Sequence, residues 1–259
     1  MEVCRELPRR IDRFIKLALL GSARCTAGQT LQPDCGIYIG SGLGPIGNNV
    51  VIQEQLIKDR EIPKPFNFIN TLGSAAGYQV ASNLGLHGQN LFISRRGASL
   101  QAVLTAAIAD LTFGIVPQAL VGTVEEATLP LPEHRLRQGL PDDMKMAEGS
   151  DWLLLEADAA TGRQLQIERF IELSELEDYL NTTWRAGDRL CCARGMEHQA
   201  ADSIRQCYAG ISLPVPGEAF HDSLESEWFA GNAAGDEAAN LFLVDGCKDS
   251  GWSLFHLGA

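Results

Sequence analysis

The chain has 259 residues, 45% of them apolar and 21% charged, with a formal net charge of −12 at pH 7. That balance excludes a disordered chain, and the acidic surplus excludes a general nucleic-acid binder, which needs a basic footprint. No run approaches the ~20 apolar residues of a membrane span, and the charged start MEVCRELPRRIDRF lacks a signal-peptide core, so a cytoplasmic protein is expected.

In chain order, Ile11, Phe14, Ile15 and Ala18 mark one face of a first helix, leaving Arg9, Arg10, Arg13 and Lys16 for the other. The strand GIYI, Gly36 to Ile39, runs into GSGLGPIGNN. Residues from about Asn48 to Asp59 should be helical, closed by REIPKPF with Pro63 and Pro65. After Asn70, the small residues of TLGSAAGYQVASNLGL read as a helix packed close to neighbouring backbone. Leu91 to Ile93 form a short apolar strand and RRGAS a tight turn. Leu100, Val103, Leu104, Ala107, Ile108 and Leu111 then recur as the buried face of a helix. The strand Ala119 to Val124 follows, then a Pro- and charge-rich loop from Leu129 to Met146, and the strand Trp152 to Ala157.

The second half holds a strand around QIERFIEL, an acidic segment SELEDYL, a strand from Asp188 to Ala193, a helix near Gln199 to Cys207 and a loop at LPVPGE. LFLV and WSLFHL flank DGCKDSG, a strong hairpin signal. Alternating strands and helices predict a layered α/β fold with helix-covered sheets. A single domain over 1–259 is expected, with pseudo-halves at about 1–160 and 161–259.

Few motifs carry chemistry. The seven cysteines (Cys4, Cys25, Cys35, Cys191, Cys192, Cys207, Cys247) form no CxxC pair and have no histidine at ligand spacing. They read as reduced buried thiols rather than a zinc site or a disulfide framework, and neither metal nor cofactor is expected. Gly42-Leu-Gly44-Pro-Ile-Gly47 satisfies GxGxxG, but Pro45 sits in the phosphate-approach turn and no acidic residue closes a second strand. It reads as a glycine turn for close packing. His87, His134, His198, His221 and His256 do not cluster by spacing, and no GxSxG elbow is present.

Several segments, in order, carry a resemblance: LPRRIDRFIKLALLGSARCTAG, GIYIGSGLG, PFNFINTLGSAAGYQVASNLGLHGQN, the strand–turn–helix–strand from Asn90 to Glu126, and MAEGSDWLLLEADAATGRQL. Together they resemble the β-ketoacyl synthases of the thiolase superfamily. The resemblance implies a thiolase-like α/β/α/β/α fold, truncated at the N-terminus, where that family's opening strand is missing, and abbreviated in the second half. In those enzymes a reactive cysteine sits at the turn ahead of the pair that is Leu100-Gln101 here, and its position falls on Arg96. The first catalytic histidine falls on Arg194, next to Gly195. The second, four residues before Ala233-Ala234-Gly235, falls on Phe229, and the family's lysine on Leu224.

Replacing Cys/His/His by Arg96, Arg194 and Phe229 implies a catalytically degenerate subunit. The chain is similar to the chain-length factors of type II polyketide synthases, and most to the short ketosynthase-like subunits of bacterial aryl polyene biosynthesis. The implied partners are an active β-ketoacyl synthase in a heterodimer and, through that complex, an acyl carrier protein; no nucleic acid and no membrane span are implied. In this family the strand Leu91, Phe92, Ile93 pairs across the dimer axis, so Phe92→Asp should break the dimer and spare the fold. Arg95 and Arg96 could be a solvated surface pair; but they lie where a helix dipole disfavours cations, and on that reading Glu148 is expected within salt-bridge reach of Arg96 or Arg194. The alternative is a diverged carrier-protein-dependent acyltransferase or hydrolase using Ser94, Ser99, Cys192 or Cys247.

Overall fold

The structure, a computed structural model, describes residues 11–127, 129–138, 140–157, 162–193, 196–208, 210–212, 221, 224–234 and 239–258. The chain divides into two compact units, 1–157 with 219–223, and 158–218 with 224–259.

In the first unit, α1 (Arg13–Cys25) begins where the Asp12 carboxylate accepts a hydrogen bond from the Ile15 amide at 2.9 Å, a side-chain N-cap. Its Phe14, Ile15, Ala18 and Leu19 are buried, the face read from the periodicity. The buried strand β1 (Gly36–Ser41) leads to α2 (Ile46–Glu54). That helix ends in a π-helical turn, Gln55–Asp59, stopped by Arg60 at φ 55°. A short helix α3 (Pro65–Ile69) starts on a proline of the expected breaker, because a missing N–H costs nothing at a helix's first position. Then come α4 (Gly73–Leu84), β2 (Asn90–Ser94), a 3-10 turn (Arg96–Ala98), α5 (Ser99–Thr112) and β3 (Gln118–Glu125). Where the sequence suggested only loop, α6 (Leu131–Gln138) forms, with Glu133 in its first turn and Arg135 and Arg137 in its last, charges that complement the helix dipole. β4 (Gly149–Glu156) closes the sheet.

The strand order is β2-β1-β3-β4, with β2, β1 and β3 parallel and β4 antiparallel. Alternation along the strands separates two faces. Ile37, Ile39, Leu120, Val124 and Trp152 meet Phe14, Leu19 and Val80 of α1 and α4 in one core. The opposite face takes α5: Tyr38 donates to Asp110 at 2.6 Å, and a Cβ on Gly40 would lie 3.0 Å from the Ser99 carbonyl. The small residues of α4 do admit close packing, but onto side chains. A Cβ on Gly73 would lie 2.3 Å from the Phe92 ring, and one on Gly77 2.1 Å from Asn90 Oδ1.

The second unit runs β5 (Leu165–Phe170), α7 (Leu173–Thr183), β6 (Arg189–Cys192), α8 (His198–Tyr208), β7 (Ile211–Ser212), α9 (Leu224–Ala233), β8 (Leu241–Cys247) and β9 (Gly251–Leu257). A reciprocal Glu172/Glu175 capping box starts α7 within the acidic segment. The expected hairpin is β8–β9, in register Leu241↔Leu257 to Cys247↔Gly251, and the sheet order is β5-β9-β8-β6-β7. The segment LPVPGE lies outside the described residues. α9 went unread because its apolar and polar residues do not segregate to opposite faces.

Candidate functional site

The chain's unusual local chemistry gathers where the parallel strands β1, β2 and β3 end. Ligand crevices of open α/β sheets form beyond such carboxyl ends. The first loop is the glycine turn after β1. The Ser41 hydroxyl accepts from the Gly44 amide at 2.8 Å and donates to Glu125 Oε2 at 3.2 Å, and the Gly42 amide donates to Glu125 Oε1. The Gly47 amide donates to Glu126 Oε1 at 2.7 Å. The Gly42 and Gly47 amides thus point at the chain's own carboxylates, from the last residue of β3 and the one after it, and the Gly44 amide at the Ser41 hydroxyl. A phosphate has nothing to displace them with. The sequence signal for this was Glu125-Glu126 directly after an apolar strand, and it went unread.

The second loop is the turn after β2. Ser99, 1% exposed, is its staple: its Oγ accepts from the Arg95 amide at 2.9 Å and lies 2.7 Å from the Arg96 carbonyl and 2.9 Å from that of Ser41. Ser94 Oγ donates to the Gly42 carbonyl at 3.1 Å, tying the second loop to the first. Arg96 sits at φ 50°, a left-handed conformation costing a side-chain-bearing residue ~1–2 kcal/mol. Its side chain is exposed.

The expected pairing of Glu148 with Arg96 does not form. Glu148 precedes β4, which packs on α1, and there Arg13 takes it in a bidentate pair, with Nε and Nη2 each 2.5 Å from a carboxylate oxygen. The Ala127 amide donates to the same carboxylate at 3.2 Å. Among the described residues, Arg96 makes no ion pair. Arg194 lies outside the described residues. Phe229 is on α9, wholly buried, and Leu224 begins that helix, also buried.

Arg96→Cys should leave the melting temperature within about 2 °C of the parent, since an exposed side chain is removed and no buried partner is orphaned. Arg13→Ala should cost about 0.5–1.5 kcal/mol, modest because Arg13 is 70% exposed and its attraction is screened. Thermal denaturation of both variants checks the order of the effects.

The expectation that Phe92→Asp spares the fold is not met. Phe92 points into the first unit, edge-on to Phe14 with ring centroids 6.2 Å apart. Phe92→Asp would therefore damage the fold, and it is no clean probe of association. Leu91 and Ile93, half-buried, occupy the alternate face.

The other nucleophile candidates are poorly placed. The Ser99 hydroxyl is committed to the turn. Cys192 is 2% exposed, and burial pushes its thiol up to about 11; burial pushes Cys191 up as well. Neither supplies a thiolate at neutral pH. Cys25, Cys35, Cys191, Cys192 and Cys207 are free thiols, Cys207 exposed. The Cys247 side chain lies outside the described residues. His198 is an exposed first residue of α8. His256 is buried between Tyr179 and Asn240, each 3.2 Å from a ring nitrogen. Among the described residues no group of His, Cys, Asp or Glu is arranged to hold a metal, and no helix is long and apolar enough to cross a membrane.

No protein-family model matches the chain, and no curated protein does. Solved structures do. The chain is similar to the ishigamide ketosynthase/chain length factor, with TM-score 0.68 and 17% identity over 96% of this chain and 82% of that one. It is similar to a type II polyketide synthase acyl-carrier protein in complex with its ketosynthase bound to the hexaketide, with TM-score 0.71 and 13% identity over 100% and 88%. A third is a ketosynthase in complex with its chain length factor from Xenorhabdus doucetiae, with TM-score 0.58 and 14% identity over 99% and 83%. At such identities the likeness is one of architecture: the chain, with its two mixed sheets and covering helices, has the thiolase-like ketosynthase fold.

Proposed function

We propose that the chain is a non-catalytic, chain-length-factor-like subunit that pairs with an active β-ketoacyl-acyl-carrier-protein synthase in polyene or polyketide assembly. It would form part of the tunnel that receives the growing acyl chain, and an acyl carrier protein would reach it through the complex. What supports this reading is Arg96, an exposed guanidinium in the turn between β2 and α5, where the sequence resemblance puts the ketosynthase cysteine. A guanidinium forms no thioester. Condensation also needs groups that stabilise an enolate's developing charge, and a buried phenyl ring such as Phe229 offers none.

A partner surface is available. β2 is an edge strand, paired only with β1 among the described residues. The Ile37 amide donates to the Gln89 carbonyl at 2.7 Å, so in a parallel ladder the backbone groups of Asn90, Phe92 and Ser94 turn to the free edge. The excursion from α2 to α4, whose last helix packs against β2, exposes Val51, Leu56, Ile57, Ile62, Phe68, Ile69, Leu72 and Tyr78. So many exposed apolar side chains within one segment support an interaction site there.

Co-expression with the ketosynthase of its own gene cluster, followed by gel filtration, tests the reading. One heterodimeric peak is expected. The isolated protein should gain no acyl mass when incubated with an acyl-carrier substrate. A well-folded chain that stays monomeric beside that ketosynthase would overturn the proposal.

A further inference from the structure

Three carboxylates and one guanidinium meet at the first turn of α2. Glu126, just beyond β3, accepts the Gly47 amide at 2.7 Å, and Gly47 is the second residue of that helix. The residue at the N-cap is Pro45, whose side chain makes no capping bond. Glu126 is therefore the cap of α2, supplied from 79 residues away. Around it stand Asp12 and Arg13 at the start of α1 and Glu148 ahead of β4. Asp12 spends one oxygen on capping α1, while its Oδ2 is buried with no hydrogen-bond partner. Arg13 spends its charge on Glu148 through a bidentate pair. Beside Glu126, Glu125 is already committed to Gly42 and Ser41. Charge at this point is acidic and undercompensated.

We infer that Glu126 is a protonation-controlled clamp on α2: uncharged, it holds the helix's first turn down; ionised against Asp12 and Glu148, it is driven off and the 42–54 segment loosens. The uncharged acid still offers its carbonyl oxygen to the Gly47 amide, so the hydrogen bond survives protonation. Ionisation adds a third negative charge in a half-buried place where Arg13 is already paired with Glu148 and Lys16 acts on Asp12. The Glu126 carboxyl is accordingly pushed up to about 7, first by burial and further by the charges of Asp12 and Glu148; the Gly47 hydrogen bond and Arg13 oppose this. Because the carboxyl holds its proton more tightly when folded, the stabilisation is complete below the usual carboxylate range and is lost as pH rises through about 7. Since α2 opens the excursion with exposed apolar side chains, the clamp also sets how firmly that surface is presented. This does not depend on what binds there.

Hydrogen exchange of the full chain, read on peptides spanning 42–54 at pH 6, 7 and 8 and corrected for intrinsic rates, tests the clamp. The β8–β9 hairpin serves as internal reference. Protection of 42–54 should fall about 3- to 10-fold between pH 6 and 8, at most about 10-fold because one group losing its proton near pH 7 is only partly titrated across that window, and less because the site is partly solvated. Glu126→Gln keeps the oxygen acceptor and removes the titration, so its protection should not change with pH. Asp12→Asn keeps the α1 cap and removes a repelling charge, so its transition should move to lower pH. Parallel pH profiles for the parent and Glu126→Gln overturn the clamp. Should Glu126→Gln not fold, a transition unmoved by Asp12→Asn overturns it equally.

Discussion

Ile62→Lys combined with Phe68→Lys is expected to weaken association with the proposed partner ketosynthase by at least about 100-fold, or ~2.7 kcal/mol. The isolated chain should keep its melting temperature to within about 2 °C. Ile62 is 94% exposed and Phe68 62% exposed, so neither contributes much to the core and a lysine at either site stays solvated. In a complex the balance reverses. Each apolar side chain covered by a partner contributes about 1.5–3 kcal/mol, and an ammonium taken from water without a counter-ion costs more than that again. Titration of labelled double variant against the ketosynthase, with a melting curve of the variant alone, separates the two effects. Undiminished binding would move the interface away from the α2–α4 excursion.

The second large effect is inside the fold. Gly122→Ala should destabilise the first unit by about 2–3 kcal/mol, lowering its transition by about 5–10 °C. Trp152 pairs directly with Gly122 in the β3–β4 ladder. Its indole lies in a slot between that residue and Gly21 of α1. A Cβ on Gly122 would lie 2.2 Å from the ring, and one on Gly21 2.5 Å from Nε1. The indole cannot swing away without losing its hydrogen bond to Ser150 Oγ at 2.9 Å, and that serine is itself held to the Leu17 carbonyl at 2.7 Å. Three elements therefore shift together. Differential scanning calorimetry reads the change, and an unshifted first transition would show that the slot is soft.

The elements legible in the sequence were those that bury a periodic face or run apolar throughout. α1, β1, α5, β3, β4 and the β8–β9 hairpin belong to this class, because burial on one face writes its period into the chain. α6 and α9 were hidden for the opposite reason: the helix-forming information in α6 is charge at its ends, and α9 has no apolar stripe. For the site, the position of Arg96 was readable because it rests on local order, strand then turn then helix. The partner of Glu148 was not. Which arginine reaches a carboxylate 135 residues away depends on α1 packing beside β4, and no spacing along the chain encodes that. The same holds for Glu125 and Glu126, whose capture of the glycine loop depends on β3 lying next to β1.

The free edge of β2 bears on how such a chain must be made. A strand paired on one side only among the described residues, with Leu91, Phe92 and Ile93 in sequence, is a template for pairing with another extended chain. If the proposed partner covers that edge, a copy synthesised in excess of it leaves the template open to aggregation or to quality-control proteases. Partner binding stabilises the folded copy by mass action. Cellular abundance of the chain should then track abundance of its partner, and translation of the two in balanced amounts becomes a requirement set by one strand's hydrogen-bonding edge.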